Sequence, residues 1–176
     1  AFVASGDPGV ATLFRQLLSS RSFAVIPLAA LGSGALRDRK AVSMLEEILQ
    51  APVSAVRRAA CLALVAIGMD KAFEAVARAL LEGDDELRRA AAQALANDPK
   101  EGHEALREGA TLADIMVRRA VVHGLARVEQ PWALEMLQHL QVEDDQWAVR
   151  NLANQYVEEI TKRDPRVPKF LEEIIG

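Results

Sequence analysis

Apolar residues along this chain recur at the spacing of one helix face, in four segments of similar sequence. In the first segment, Val56, Ala59, Ala60 and Ala63 follow an i, i+3, i+4, i+7 pattern, which predicts an amphipathic helix. The four segments read VRRAACLAL (56–64), LRRAAAQAL (87–95), VRRAVVHGL (117–125) and VRNLANQYV (149–157). A fainter copy begins at Phe23, so consecutive copies start 30 to 33 residues apart.

A second apolar stretch precedes each copy, so the repeating unit is predicted to contain two helices. These stretches cover about residues 41–49, 72–81, 102–107 and 132–140. Turn-forming residues separate the helices, at 83–85 within a unit and at 129–131 between units. Pro27 is predicted to kink the first unit, because it falls inside the fainter copy.

Stacking of the units follows from their size, since about 31 residues in two short helices cannot bury an apolar face alone. The small residues Ala59, Ala90 and Ala120 would let neighbouring helices approach closely. The Val-Arg-Arg-Ala blocks, with an Asp in the preceding turn, resemble HEAT repeats, specifically the short bacterial kind named after phycobilisome lyases. The resemblance covers about residues 36–160. It implies an all-α fold, an α-solenoid of about five helix-turn-helix HEAT-like repeats with capping ends.

A single repeat domain is expected over residues 1–176. An atypical first repeat is predicted at about 10–35, followed by repeats at about 36–68, 69–97, 98–128 and 129–161. A C-terminal helix at about 165–176 would bury Phe170, Leu171 and Ile174. This helix either caps the last repeat or begins a sixth repeat of a longer chain.

Composition and charge restrict the functions of such a domain. The chain has 31 alanines in 176 residues and only 5% aromatic residues, which favours closely packed helices over a sheet. The single cysteine excludes an internal disulfide and a multi-cysteine zinc site. The net charge of −4 argues against a surface that binds nucleic acid throughout. No targeting or membrane-spanning stretch is visible in the sequence, so a cytoplasmic location without membrane contact is expected.

The first arginine of each copy forms a column, composed of Arg57, Arg88, Arg118 and Arg150. Each lies in the first turn of its helix, where the helix dipole opposes a cation by roughly 0.3–1 kcal/mol, so a compensating partner is expected. Asp84, Asp114 and Asp145 in the preceding turns can supply carboxylates and N-caps. HEAT-like repeats typically carry such an Asp–Arg ladder, and the resemblance places it at these positions. Pro52 and Ser54 stand where the second repeat should have its Asp, so a break is expected there.

The second arginine of the copies begins a polar stripe. The stripe consists of Arg58, Arg89 and Arg119, with Gln93, His123, Asn151 and Gln155 beside them. If the second helices line the concave side, as in solenoids of this kind, the stripe faces a groove. A solvated polar face is one interpretation, and a partner-binding surface is the other. In the second case, the three arginines contact an acidic or phosphate-bearing partner.

No catalytic residue, metal site or cofactor site is predicted. None of the three histidines has a second His or Cys three or four residues away, the spacing of a helical metal pair. Cys61 is expected to be a buried, inert thiol beside the apolar stripe. Trp132 and Trp147 are expected to pack in the core or at helix caps, with an exposed binding anchor as the alternative.

The function expected from these features is a noncatalytic protein–protein interaction scaffold that binds on the concave face. Its partner would be another protein, acidic if the arginine stripe binds it, and the chain could be part of a longer protein. Two alternatives stay open because a fold does not fix a function. One is a chromophore-handling subunit like the bilin lyases. The other is a HEAT-like nucleic-acid-binding protein, which the net charge disfavours.

Overall fold

Ten α-helices make up most of residues 8–163, the part of the chain that the computed structural model describes. In chain order they are α1 (Pro8–Leu18), α2 (Ile26–Ala35), α3 (Val42–Ile48), α4 (Ser54–Ile67), α5 (Asp70–Glu82), α6 (Asp85–Leu95), α7 (Glu101–Gly109), α8 (Ile115–Leu125), α9 (Pro131–Glu143) and α10 (Trp147–Arg163). A 3-10 turn at Arg39–Ala41 leads into α3, and residues 8–163 contain no strand.

The helices pair in sequence, and the pairs stack in a single array. The even-numbered helices form a second-helix layer, in which α2 packs on α4, α4 on α6, α6 on α8 and α8 on α10. The odd-numbered helices form a first-helix layer, in which α1, α3, α5 and α7 contact one another in turn. Contacts within each pair join the two layers. The prediction of an all-α solenoid is confirmed.

Equivalent positions of the repeats have equivalent environments in the core. Val56, Leu87, Val117 and Val149 begin the four copies, and all four side chains are buried. Four residues later, Ala60, Ala91 and Val121 are fully buried as well. The sequence repeat is therefore a repeat of packing, in which each second helix covers the apolar face of its neighbours.

Short polar residues and one glycine define the ends of the second helices. Asp84 and Asp114 are the N-caps of α6 and α8, where their carboxylates accept hydrogen bonds from backbone N–H groups. Gly68 ends α4 with a φ of 69°, a left-handed conformation that glycine adopts without steric cost. These caps fix the starts of α6 and α8 and the end of α4.

Pro27 does not kink the first pair, so that expectation is wrong. Helix α2 begins at Ile26, three residues after the start of the fainter copy, and Pro27 lies in its first turn. A residue there has no intrahelical N–H bond to lose. The predicted C-terminal helix at about 165–176 lies outside the described residues. Within residues 8–163, no helix combines the length and apolar character needed to cross a membrane.

Candidate functional site

The first-column arginines lie along one edge of the stack and join one helix pair to the next. Arg57 donates to Asp84 at 2.5 Å and to Glu86 at 3.1 Å. Arg88 donates to Asp114 at 3.0 Å. Each carboxylate lies at the start of the next second helix, so each ion pair connects two adjacent helix pairs. We refer to these ion pairs, with the one made by Arg118, as the edge ladder.

Arg118 makes the most buried ion pair of the edge ladder. Its guanidinium donates to both carboxylate oxygens of Asp144, at 2.7 and 3.1 Å, and to Asp145 at 2.5 Å. It also donates to the backbone carbonyls of Leu112 and Ala113, each at 2.9 Å. The side chains of Arg118 and Asp144 are 9% and 2% exposed, so loss of either partner would leave the other charge buried.

Arg150, the last member of the column, does not form an ion pair with a following helix pair within residues 8–163. Its side chain donates to the backbone carbonyl of Asp144, in the turn before α10, at 2.6 Å. The expected break at Pro52 and Ser54 does not remove the ion pair of Arg57. The reason is that Arg57 uses the carboxylates at the start of the following second helix. What the second repeat lacks is a capping side chain at the start of α4.

The carboxylates of the edge ladder are stabilised in their ionised form. The hydrogen bond from the arginine partner is the main cause that lowers the pKa of Asp84 and of Asp114 below their ordinary value. Burial raises the pKa of Asp144, but the hydrogen bonds it accepts, led by those from Arg118, outweigh the burial and lower the pKa overall.

The second-column arginines lie on the second-helix layer, where they line two adjoining depressions. The first depression, between α4 and α6, is lined by Arg58, Arg89 and Gln93. The second, between α6 and α8, is lined by Arg89, Arg119 and His123. We call the two depressions together the groove. Five of the seven residues expected on a partner-binding surface thus come together.

The groove arginines have few partners of their own. Within residues 8–163, the side chains of Arg58 and Arg89 form no hydrogen bond and no ion pair. The Nη1 atom of Arg119 lies 4.0 Å from the Oδ2 atom of Asp85, and the side chain of Arg119 is 41% exposed. A guanidinium without an internal partner keeps all its N–H donors for a ligand, and its planar fork matches a carboxylate.

Arg127 is a further groove residue, which the sequence analysis missed. It follows α8, and its side chain lines the first depression with Arg58 and Arg89. The exposed side chain of Arg127 forms no hydrogen bond or ion pair in the described part of the chain. The sequence contains a pattern that could have predicted Arg127. Arg119, His123 and Arg127 follow one another at intervals of four residues, which is the spacing of one helix face.

His123 lies in the wall of the groove in its neutral form. Its Nδ1 atom is 2.8 Å from the hydroxyl of Tyr156, and the two rings meet edge to face. Burial lowers the pKa of His123 to about 4, with further lowering by the positive charges of Arg89 and Arg119. The positive charge of the groove at neutral pH therefore comes from its arginines, and Asp85 and Glu86 line the groove beside them.

Asn151 and Gln155 are not brought into the groove with the other expected residues. Both lie on α10, the last second-layer helix of the described chain, and they line neither depression. The side chain of Asn151 is half-buried and that of Gln155 is exposed. The arginine stripe is therefore continuous from α4 to α8 only.

The tryptophans and the cysteine have separate environments. The Trp132 ring packs under the guanidinium of Arg107, whose Cζ is 3.9 Å from the ring centroid. Trp147 is 69% exposed at the start of α10, so the expectation that it packs in the core or at a cap is wrong. Burial raises the pKa of the Cys61 thiol to about 12, which leaves it protonated and unreactive.

Among the described residues, no three or more His, Cys, Asp or Glu side chains are grouped to hold a metal ion. A family model described as HEAT repeats matches residues 10–96, from the first turn of α1 to the end of α6. The matched region contains α4 and α6, the two helices that form the first depression of the groove. No curated protein matches the chain.

Proposed function

This chain is a HEAT-like repeat protein, and we propose that it is a noncatalytic scaffold that binds another protein in the groove of its second-helix layer. Stacked helical repeats generally serve as extended surfaces for protein interactions. The groove spans three consecutive second helices, so its side chains are carried on packed elements. Such a surface can bind a partner with little rearrangement of its own backbone.

The observation that carries this proposal is the contrast between neighbouring arginines. Arg88 is paired with Asp114, whereas Arg89, the next residue, has no ion pair among residues 8–163 and lines the groove. The same contrast separates Arg57 from Arg58. Four arginines (Arg58, Arg89, Arg119 and Arg127) and two carboxylates (Asp85 and Glu86) line the groove. The excess positive charge that remains favours an anionic partner.

An acidic protein surface fits the groove better than a purely electrostatic ligand. Arginine binds carboxylates through paired, parallel N–H donors, which makes the contact specific in geometry as well as in charge. Gln93 and the neutral His123 lie between the arginines and add uncharged hydrogen-bonding groups. The groove has four arginines and two carboxylates, whereas the whole chain has a net charge of −4.

The test compares charge reversal inside and outside the groove. The groove variant is Arg58→Glu/Arg89→Glu/Arg119→Glu, and the matched control is Arg39→Glu/Lys40→Glu/Arg78→Glu. The control has the same change in net charge, on exposed side chains of the first-helix layer and the turn before it. Fluorescence anisotropy then measures the binding of a labelled glutamate-rich peptide and of a single-stranded DNA oligonucleotide.

We expect the peptide to bind the wild type and the control, and to bind the groove variant at least about tenfold more weakly, since three charge-assisted contacts are lost. The thermal midpoints of all three proteins should stay close together. Equal peptide binding by the wild type and the groove variant would contradict the proposal. Tighter binding of the oligonucleotide, with a steep dependence on salt, would favour a nucleic-acid ligand instead.

A further inference from the structure

The groove continues into an apolar depression beside α2. This third depression, of about 340 Å³, lies between α2, α4 and α6. Pro27, Leu31 and Leu62 give it an aliphatic wall, and the groove residues Arg58 and Arg127 form its other side. The basic cluster and the aliphatic wall are therefore parts of one continuous surface.

The aliphatic wall is partly open to solvent. Leu31 is 45% exposed and Leu62 is half-buried, whereas Ala29 and Ala30 on the other face of α2 are buried against α4. Leucine side chains gain free energy when they are removed from water, so this wall favours an apolar occupant. The arginines beside it favour a carboxylate.

We propose that the groove binds a linear acidic peptide segment that also carries an apolar side chain of leucine size. Its carboxylates contact Arg58, Arg89 and Arg127, and its apolar side chain packs against Leu31 and Leu62. This inference rests on the proposed function, since it specifies the partner that the same surface takes. Charge complementarity selects the acidic residues, and the exposed leucines select the apolar one.

The spacing of the two halves restricts the sequence of the partner. Arg58 and Leu62 are four residues apart in α4, which corresponds to a rise of about 6 Å along the helix axis. An extended peptide advances about 3.3 Å per residue, and its side chains alternate between its two faces. An acidic residue and an apolar residue on the same face of the peptide, two positions apart, would meet the arginine and the leucine together.

The test uses two labelled peptides of equal length and charge. The first peptide is rich in glutamate and contains one leucine, with a glutamate two positions before it and another two positions after it. The second peptide has serine in place of that leucine. The variants are Leu31→Gln/Leu62→Gln and Arg127→Glu, with Leu28→Gln and Arg78→Glu as controls. Leu28 is 69% exposed on α2 but does not line the depression, and Arg78 is exposed on α5.

We expect the wild type to bind the leucine peptide about tenfold more tightly than the serine peptide, because one leucine side chain is buried. Leu31→Gln/Leu62→Gln should remove this difference and leave the affinity for the serine peptide unchanged. Arg127→Glu should weaken the binding of both peptides. The two controls should behave as the wild type does.

Equal affinity of the wild type for the two peptides would overturn this inference, as would a difference that persists in Leu31→Gln/Leu62→Gln. The proposed function would survive either result, provided that peptide binding still depends on Arg58, Arg89 and Arg119. Binding of neither peptide to the wild type would overturn both proposals. A gain in affinity for an oligonucleotide over both peptides would assign the groove to nucleic acid.

Discussion

Two arginines that are neighbours in sequence have different surroundings because about 100° of helix rotation separates their side chains. In α8, Arg118 is directed into the edge ladder and donates to Asp144, whereas Arg119 is directed into the groove and is 41% exposed. Chemically identical side chains one residue apart thus have different consequences when they are changed. We expect loss of Arg118 to lower the free energy of unfolding, and loss of Arg119 to weaken the binding proposed for the groove.

The titration of His123 gives a prediction about stability and pH. Its pKa is about 4 in the folded chain and about 6.5 in the unfolded chain, so the unfolded chain binds more protons between these values. Stability is unaffected by this group above pH 6.5 and falls as the pH is lowered toward 4. His123→Gln should reduce that fall by about 1 to 2 kcal/mol, a value discounted for partial exposure.

Urea unfolding of the wild type and of His123→Gln at pH 7 and pH 4.5 measures this effect. His139→Gln is the control, because His139 is exposed on α9 and should keep the pH dependence of the wild type. Asp84, Asp114 and Asp144 have lowered pKa values, so their stabilising contributions are lost at more acidic pH, below this window. Identical pH dependence of His123→Gln and the wild type would show that His123 titrates normally.

Sequence reasoning at the scale of single residues succeeds where a residue belongs to the repeated segment. Arg127 follows the last helical residue of its copy, and the stripe was not extended past that helix end. The exposure of Trp147 does not follow from its hydrophobicity. The equivalent positions Ser54 and Asp85 begin their own second helices and are exposed. Ile115, the equivalent residue of α8, is half-buried against the core, so an apolar side chain at this position can be either covered or exposed.

At the scale of helices, small residues set the distance between neighbouring members of the second-helix layer. A Cβ atom added at Gly34 of α2 would lie 2.8 Å from the Cα of Ala63 in α4. The two backbones are therefore as close as a glycine permits. The alanine-rich sequence predicts this close packing in general, but it does not show which positions make the contact. That depends on how one helix is rotated against the next.

Gly34→Val tests the close approach of α2 and α4. The added side chain must push the helices apart, which should lower the free energy of unfolding by about 1–3 kcal/mol. Ala35→Val is the matched control, because Ala35 is the next residue of α2 and is exposed. Equilibrium urea unfolding measures both variants. A loss in Gly34→Val no larger than that in Ala35→Val would mean that the helices are not constrained at this contact.

At the scale of the whole molecule, the stack has an edge of ion pairs that connect its helix pairs and a separate face that carries the proposed binding groove. The edge ladder connects successive helix pairs, while the groove runs across three second helices. The repeat spacing in the sequence was sufficient to predict the stack, because each helix pair contacts its neighbours in the same way. The apolar depression beside α2 was not predictable, since α2 belongs to the first repeat, which has lost the arginine pair.

The most direct test of this division is the free energy of unfolding in urea for four single variants: Arg88→Met, Arg89→Met, Arg118→Met and Arg119→Met. We expect Arg118→Met to lose about 3–5 kcal/mol, because Asp144 is left as an unpaired buried charge. Arg88→Met should lose about 1 kcal/mol, because its partner is partly exposed. Arg89→Met and Arg119→Met should stay within about 0.5 kcal/mol of the wild type, as exposed positions do. Losses in Arg89→Met and Arg119→Met that equal those of the preceding arginines would contradict the assignment of one column to stability and the other to binding.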